Sequence, residues 1–413
     1  INFTYTNQLI VGKTGLEFVY EDILSGEFGN NLREVDAKGK TLDERISSES
    51  KVGNNLFTSL DLKSHQAAHK ALNNRKGAVV AIDINDGSIV TLFSSPTFST
   101  NQLANGILQK DFDELLLSEE KPFFNRALRG RYPPASSIKP AIAMYGIEEG
   151  LIDWNFSIFD EGFFTLPEDG RIYRDWKEGG HGNTNLFKAI TQSSNTYFFD
   201  LAYRSDINQL NKHLSSLGFG DKACIDCFEE DQVFVPEPSW KMNKHNFGWF
   251  KGDTVNMGVG QGYLVSTPIQ LAKYAYIMAN KGKFSDLSLK KDLVKSEKSI
   301  EFNKFSNDDW FKLHESMVNV IEGNTGTARR LREKKNYIVA AKTGTAELVS
   351  GDNREQYSET RLDDSLRDHA LIIAFGPMPN PRYAVSVVVE NGESGGSVAG
   401  PVAISVLNSL IQE

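Results

Sequence analysis

The segment Tyr132-Pro133-Pro134-Ala135-Ser136-Ser137-Ile138-Lys139-Pro140 places a serine and a lysine at the mouth of a helix. Its two leading prolines favour extended backbone before the serine. A helix is expected to begin at Ser136, with Pro140 in its first turn, where a missing N–H costs little. Ser136 and Lys139 then lie three residues apart and share a face. The Ser136 hydroxyl would sit where helix N–H groups are unpaired, so an oxyanion formed there would be stabilised by those donors. A desolvated lysine loses proton affinity and can serve as base for a hydroxyl, which alone is a poor nucleophile. Spacing by itself does not single out this pair. Ser48/Lys51, Ser118/Lys121 and Ser288/Lys291 repeat it, and a capping serine near a solvated lysine is the ordinary meaning. The prolines before Ser136 and the apolar run "AIAMYGI" after it set it apart.

Downstream, helical patterns continue in "NLFKAITQSSNTYFFDLAYR" and "TPIQLAKYAYIMANKGK". The first holds Ser193-Ser194-Asn195, small polar residues in an apolar segment that need partners. A helix-terminus cap or a buried structural hydrogen bond is the plain alternative, and Ser99-Thr100-Asn101 matches the same pattern in a loop. The chain then turns to strands: "NYIVAAKTGTAEL", "HALIIAFGPM" and "RYAVSVVVENG", followed by an amphipathic helical run, "GPVAISVLNSLIQ". Lys342-Thr343-Gly344-Thr345 is expected at the end of a strand run. A lysine and hydroxyls there can hold a carboxylate, and Gly344 would let substrate backbone approach. Lys13-Thr14-Gly15 repeats the triplet without a β run before it.

Upstream, Asp61 precedes "LKSHQAAHKAL", a capped helix. "GAVVAIDINDGSIVTLFSSP" reads as a β-hairpin around Asn85-Asp86-Gly87, and a loop-rich stretch follows to about Arg131. Residues 1–55 are polar, with one helix-like patch, "GLEFVYEDILSG", stopped by Gly26; they read as an accessory region without a full core of its own. Residues 56–413 form the main domain. Strands at both ends of a helical middle predict an α+β fold with an antiparallel sheet built from both ends of the domain.

Of 413 residues, 40% are apolar and 24% charged, enough apolar mass for a large core, and the net charge of −9 excludes a basic nucleic-acid footprint. No run reaches the roughly 18 apolar residues of a membrane helix. The chain opens on Ile1 without an initiator methionine, and is read as a fragment whose anchor lies upstream. The two cysteines, Cys224 and Cys227, make a lone CxxC, too few ligands for a structural zinc site; a loop disulfide and two free thiols both remain open.

Taken together, Ser136-x-x-Lys139, Ser193-x-Asn195 and Lys342-Thr343-Gly344 follow the order of the motif set shared by penicillin-binding proteins and class A β-lactamases. With "YRDWKEGGHG", "GDTVNMGVGQGYLVSTPIQ", "GNTGTARR", "AAKTGTAE" and "LRDHALIIAFGPMPNP", the sequence from about Gly12 onward resembles the class B penicillin-binding proteins. It is most similar to their elongation type, penicillin-binding protein 2. Some elongation-type members carry Asp where this chain has Asn195.

The resemblance implies the penicillin-binding-protein/β-lactamase-like fold, with residues 1–55 as a fragment of an N-terminal pedestal or dimerisation domain. It implies a peptidoglycan D,D-transpeptidase that cross-links stem peptides during cell elongation and is acylated by β-lactams. Ser136 would be the acylated nucleophile and Lys139 its base. Ser193 would pass the proton to the leaving D-Ala amine, and Asn195 would orient Lys139 or the substrate amide. Lys342, Thr343 and Thr345 would hold the terminal carboxylate, and the N–H groups of Ser136 and Thr345 would form the oxyanion hole. No cofactor is required. Some relatives place zinc ligands at positions matching Asp160, Asp175 and His181, with a cysteine inside the second motif, where this chain has Ser194. A missing thiol leaves either no metal or a weak three-ligand site with a water; the plain alternative is an ordinary Asp175–His181 hydrogen bond. The implied setting is the periplasmic domain of a single-pass inner-membrane protein. Lipid-linked nascent glycan, a SEDS-type glycan polymerase and an elongation-complex scaffold would be its partners. A D,D-carboxypeptidase or β-lactamase-like hydrolase is the rival enzyme reading, and a β-lactam sensor or wall-synthesis scaffold the rival without catalysis.

Overall fold

The structure, a computed structural model, describes residues 11–348 and 366–411. At its centre are β1 (Gly77–Asp83) and β2 (Ser88–Ser95), the hairpin expected around Asn85-Asp86-Gly87. They are joined by three strands from the far end of the sequence: β3 (Ala340–Ala346), β4 (His369–Gly376) and β5 (Tyr383–Val389). The antiparallel spatial order is β3-β4-β5-β1-β2, so β3 lies at an edge. Val389 pairs with Gly77 and Ala340 with Phe375.

Successive strand residues face opposite sides, and here both sides are covered. Val79, Ala81, Val385 and Val387 pack with Ala68 and Leu72 of the Leu62–Leu72 helix and with Val402 and Val406 of the Gly400–Ile411 helix. Ala78, Val80, Ile82 and Ile373 belong to the opposite core, with the Pro268–Ala279 helix. That double cover explains why β1, β4 and β5 read as continuous apolar runs. The Asp61 cap forms as expected: its carboxylate accepts from Ser64 N–H at 2.6 Å. The helical middle sits on the second face and brings Ser136 and Ser193 to the β3 edge.

Three regions differ from the sequence reading. Asn30–Val35 and Thr41–Ser48 form a hairpin that the sequence did not announce. Nearly every residue in it is exposed, so no buried face imposes a hydrophobic alternation. The "GLEFVYEDILSG" patch is two short helices, Gly15–Val19 and Glu21–Leu24, broken at Tyr20. The stretch from Pro96 to Arg131 is not only loop: it carries helices at Thr100–Asn105, Gln109–Leu117 and Arg126–Arg129. The first two bury no residue, so their pattern is weak. The cysteines form a disulfide, in a loop where Asp226 accepts from Tyr20 Oη at 2.9 Å. Among the described residues no helix is long and apolar enough to cross a membrane.

Candidate active site

The helix after Pro134 does not begin as an α-helix at Ser136. Residues Ala135–Ile138 form a 3₁₀ turn, and the α-helix runs Lys139–Glu148 with Pro140 in its first turn. The tighter turn helps the expected pair, because side chains three residues apart eclipse in a 3₁₀ helix. Ala135 is held at a positive φ of 48°, a conformation that non-glycine residues adopt at a cost. Gly260 enforces it. Ala135 N–H donates to Gly260 O at 2.8 Å, and a Cβ on Gly260 would lie 2.2 Å from Ala135 O. Ser136 is half-buried, while Lys139 is wholly buried.

The second motif does not sit inside one helix. Ser193 ends the Leu186–Gln192 helix in the left-handed conformation, φ 61°, and Ser194 caps the Asn195–Arg204 helix, accepting from Tyr197 N–H at 3.2 Å. The break turns the motif's side chains toward Lys139. Lys139 Nζ donates to Ser193 O at 2.8 Å and to Asn195 Oδ1 at 2.6 Å, and lies 3.4 Å from Ser193 Oγ. Lys342 Nζ reaches the same hydroxyl at 2.8 Å and Thr343 O at 3.1 Å. Burial pushes Lys139 down to about 7, against the weaker opposing pull of Asp175 and Asp160. Burial, then the charge of Lys139, holds Lys342 well below the usual lysine range.

Lys342-Thr343-Gly344-Thr345 lies within β3 rather than at its end. The run continues through Ala346 because Ala346 still pairs with His369. Gly344 serves a closer neighbour than substrate: a Cβ there would lie 3.2 Å from Pro134 O and 3.4 Å from Ser137 N. Its bare backbone lets β3 lie against the Ser136 turn, the arrangement that paired donors from Ser136 and Thr345 require. Thr343 Oγ1 shares a 2.7 Å hydrogen bond with Thr327 Oγ1, and Thr345 O accepts from Gln261 Nε2 at 3.3 Å. Trp176 is exposed beside the site, its Nε1 donating to Ser193 O at 3.2 Å. Trp176, Gln261 and Thr327 fall in segments that carry the family resemblance, yet no spacing rule marks them individually.

Behind the second motif, Asp160, Asp175 and His181 come together, all buried, with ligand-type atoms within 4.8 Å of one another. The partner of the imidazole is not Asp175, as the plain reading has it. His181 Nδ1 lies 2.7 Å from Asp160 Oδ2 and 3.8 Å from Asp175 Oδ2. Asp175 is drawn instead to the start of the next helix, where it accepts from the N–H groups of Asn195 at 2.6 Å and Thr196 at 2.9 Å. Unpaired N–H groups at a helix start favour a carboxylate. Burial alone would raise the Asp160 carboxyl, but hydrogen bonds from His181, Ser194 Oγ at 2.7 Å and Gly162 N–H outweigh it and hold it well below the usual range. As they stand these groups do not fit zinc: the fourth, thiol ligand is lacking, and the carboxylate oxygens already accept hydrogen bonds.

The profile described as the penicillin binding protein transpeptidase domain matches residues 77–408, and that of the penicillin-binding protein dimerisation domain matches residues 2–58. The chain belongs to the penicillin-binding protein transpeptidase family. It is 39% identical over 404 residues to the peptidoglycan D,D-transpeptidase MrdA of Acinetobacter baumannii, covering 96% of this chain and 60% of that protein. The chain thus spans less than two thirds of that relative's length. Among solved structures it is similar to Pseudomonas aeruginosa PBP2 in complex with WCK 5153, with a TM-score of 0.83, 34% identity, and coverage of 98% of this chain and 84% of that one. The PBP2 of the Helicobacter pylori PBP2–MreC complex gives a TM-score of 0.87 at 30% identity, covering 97% and 72% respectively.

Proposed function

We propose that this chain is the catalytic part of a periplasmic peptidoglycan D,D-transpeptidase of the elongation type, acting through an acyl-enzyme on Ser136. One observation carries the reading: the proton inventory of Lys139. A neutral amine has two N–H bonds and one lone pair. Ser193 O and Asn195 Oδ1 take the two protons, at 2.8 and 2.6 Å. Ser193 Oγ, which already accepts from Lys342, stands 3.4 Å from the same amine, and the lone pair serves the hydroxyl of Ser136, one 3₁₀ turn away along the chain. Burial keeps that amine neutral for much of the time at neutral pH.

Ser136 Oγ attacks the carbonyl of the penultimate D-Ala while its proton passes to Lys139. The oxyanion is met by the N–H groups of Ser136 and Thr345. Lys342 donates to Ser193 Oγ, which leaves the Ser193 proton for the leaving D-Ala nitrogen, and Lys139 resupplies it. The C–N bond breaks, D-Ala departs, and the ester on Ser136 remains. An amine of a neighbouring stem peptide then attacks the ester and returns the proton to Ser136. Thr343, Thr345 and the N–H groups of the Lys342 amine recognise the terminal carboxylate. No cofactor enters. A β-lactam carbonyl takes the place of the D-Ala carbonyl. The Helicobacter pylori PBP2–MreC complex supports an MreC-like scaffold partner for the whole protein, with the exposed N-terminal hairpin as the surface it would meet.

The test is a reaction with a D-Ala-D-Ala stem peptide and an amine acceptor, followed by mass spectrometry. Release of D-Ala with formation of the cross-linked product is expected. Hydrolysed peptide alone, at the same rate with and without acceptor, would assign the chain to the carboxypeptidases.

A further inference from the structure

We infer that Asp160, His181, Ser194 and Asp175 form a metal-free hydrogen-bonded clamp that sets Ser193 and Asn195 on Lys139, and that the Ser194 hydroxyl stands where a fourth metal ligand would otherwise be. Its acylation readout rests on the function proposed above; its metal readout does not.

The separations in the cluster are those of hydrogen bonds. Tetrahedral zinc with bonds of about 2.0–2.1 Å holds its N and O ligand atoms about 3.3 Å apart. Here His181 Nδ1 and Ser194 Oγ each lie 2.7 Å from Asp160 Oδ2. That separation is a proton-bridged contact to a carboxylate. The single Ser194 proton is in use, donated to Asp160, and the hydroxyl also accepts from Tyr197 N–H. Asp175 Oδ2 is likewise engaged, receiving Asn195 N–H, Thr196 N–H and Thr196 Oγ1, the last at 3.2 Å. An ion entering here would have to displace these protons while gaining only a neutral hydroxyl as fourth ligand.

The clamp leads straight to the reactive amine. Asp175 fixes the Asn195 backbone, and Asn195 Oδ1 meets Lys139 Nζ at 2.6 Å. Asp160 fixes Ser194, the residue between Ser193 and Asn195. Asp160, Asp175, His181 and Ser194 are therefore positioning residues that act through Asn195 and Ser193. One spare valence remains, since buried His181 Nε2 has no partner among the described residues. Ser194→Cys would add a thiol beside one imidazole and two carboxylates, a donor set that suits zinc.

Metal content by plasma mass spectrometry, zinc-dependent thermal shift and penicillin acylation are measured on the whole chain, before and after dialysis against chelator. The wild type is expected to carry substoichiometric zinc, to show no thermal shift with zinc, and to acylate at the same rate after chelation. Ser194→Cys is expected to take up one equivalent and to gain a zinc-dependent thermal shift. Ser194→Ala lowers acylation about tenfold, and Ser194→Thr, which keeps the hydroxyl, restores it. Stoichiometric zinc in the wild type, loss of acylation on chelation, or a folded Ser194→Cys that takes no zinc would each overturn the inference. If Ser194→Cys does not fold, the wild-type metal content and chelator response decide alone. A wild type that is zinc-free yet never acylated counts against the proposed function and leaves the clamp standing.

Discussion

Two buried charged clusters meet at the start of the Asn195–Arg204 helix, and they are built on opposite terms. On one side, Lys139 and Lys342 share the Ser193 hydroxyl, with no carboxylate among the described residues in hydrogen-bond contact, and burial strips both of proton affinity. On the other, Asp160 and Asp175 are bonded to nearly every donor within reach, and Asp160 stays ionised despite its burial. Groups with a lone pair to spare do chemistry; groups whose valences are filled hold position. A mutation on the lysine side should therefore reach the rate directly, and one on the carboxylate side should reach it through geometry.

The sharpest way to break this contrast is Lys139→Ala. Acylation should fall by ~10²–10⁴-fold, the usual cost of losing a general base, while circular dichroism stays that of a folded protein. A folded variant with a wild-type rate would remove Lys139 from the mechanism.

A second effect is the pH profile. Lys139 is lowered from 10.5 to about 7, so it is neutral above that value and protonated below it. Acylation should decline about tenfold per unit as pH falls below 7, and a rate flat down to pH 5 would contradict the assignment. The linkage sign is the same. Between pH 7 and 10.5 the unfolded chain holds a proton on this lysine that the folded chain has released. Folding should therefore gain stability from Lys139 as pH rises through that window.

On the carboxylate side, Asp175→Asn keeps the shape and removes the charge facing the Asn195 and Thr196 N–H groups. A charge-assisted hydrogen bond is worth ~1.5–3 kcal/mol, so a lower melting midpoint and an acylation loss of roughly tenfold are expected. If the loss equals that of Lys139→Ala, the two clusters are one catalytic unit and the contrast fails. Smallest is Asp61→Ala, far from both. Loss of this N-cap should cost ~1 kcal/mol in denaturant unfolding and leave acylation unchanged.

These clusters also show where sequence is transparent. Asp61, the Asn85-Asp86-Gly87 hairpin and the apolar strands were legible because local turn chemistry and two-sided burial agree there. The Ser136–Lys139 pairing was legible because prolines bracket it. The grouping of Asp160, Asp175 and His181 was legible only through the family resemblance; the loop that joins the last two is glycine-rich, and Gly179, Gly180 and Gly182 all take positive φ there. Their bonding pattern did not follow. Which carboxylate meets His181 depends on a helix start at Asn195, and that start depends on the left-handed turn at Ser193, for which the one-letter pattern holds no signal. Gly344 shows the same limit: a glycine in a strand announces a close approach but not the neighbour, here the Ser136 turn itself. The exposed Asn30–Ser48 hairpin stayed hidden because it buries nothing.

The central claim, that Ser136 is the nucleophile made reactive by Lys139, is tested most directly by labelling the protein with a fluorescent penicillin and mapping the adduct by mass spectrometry. One adduct per chain, on the peptide containing Ser136 and absent in Ser136→Ala, is the result expected. An adduct on Ser48, Ser118 or Ser288, or label retained in folded Ser136→Ala, would contradict it.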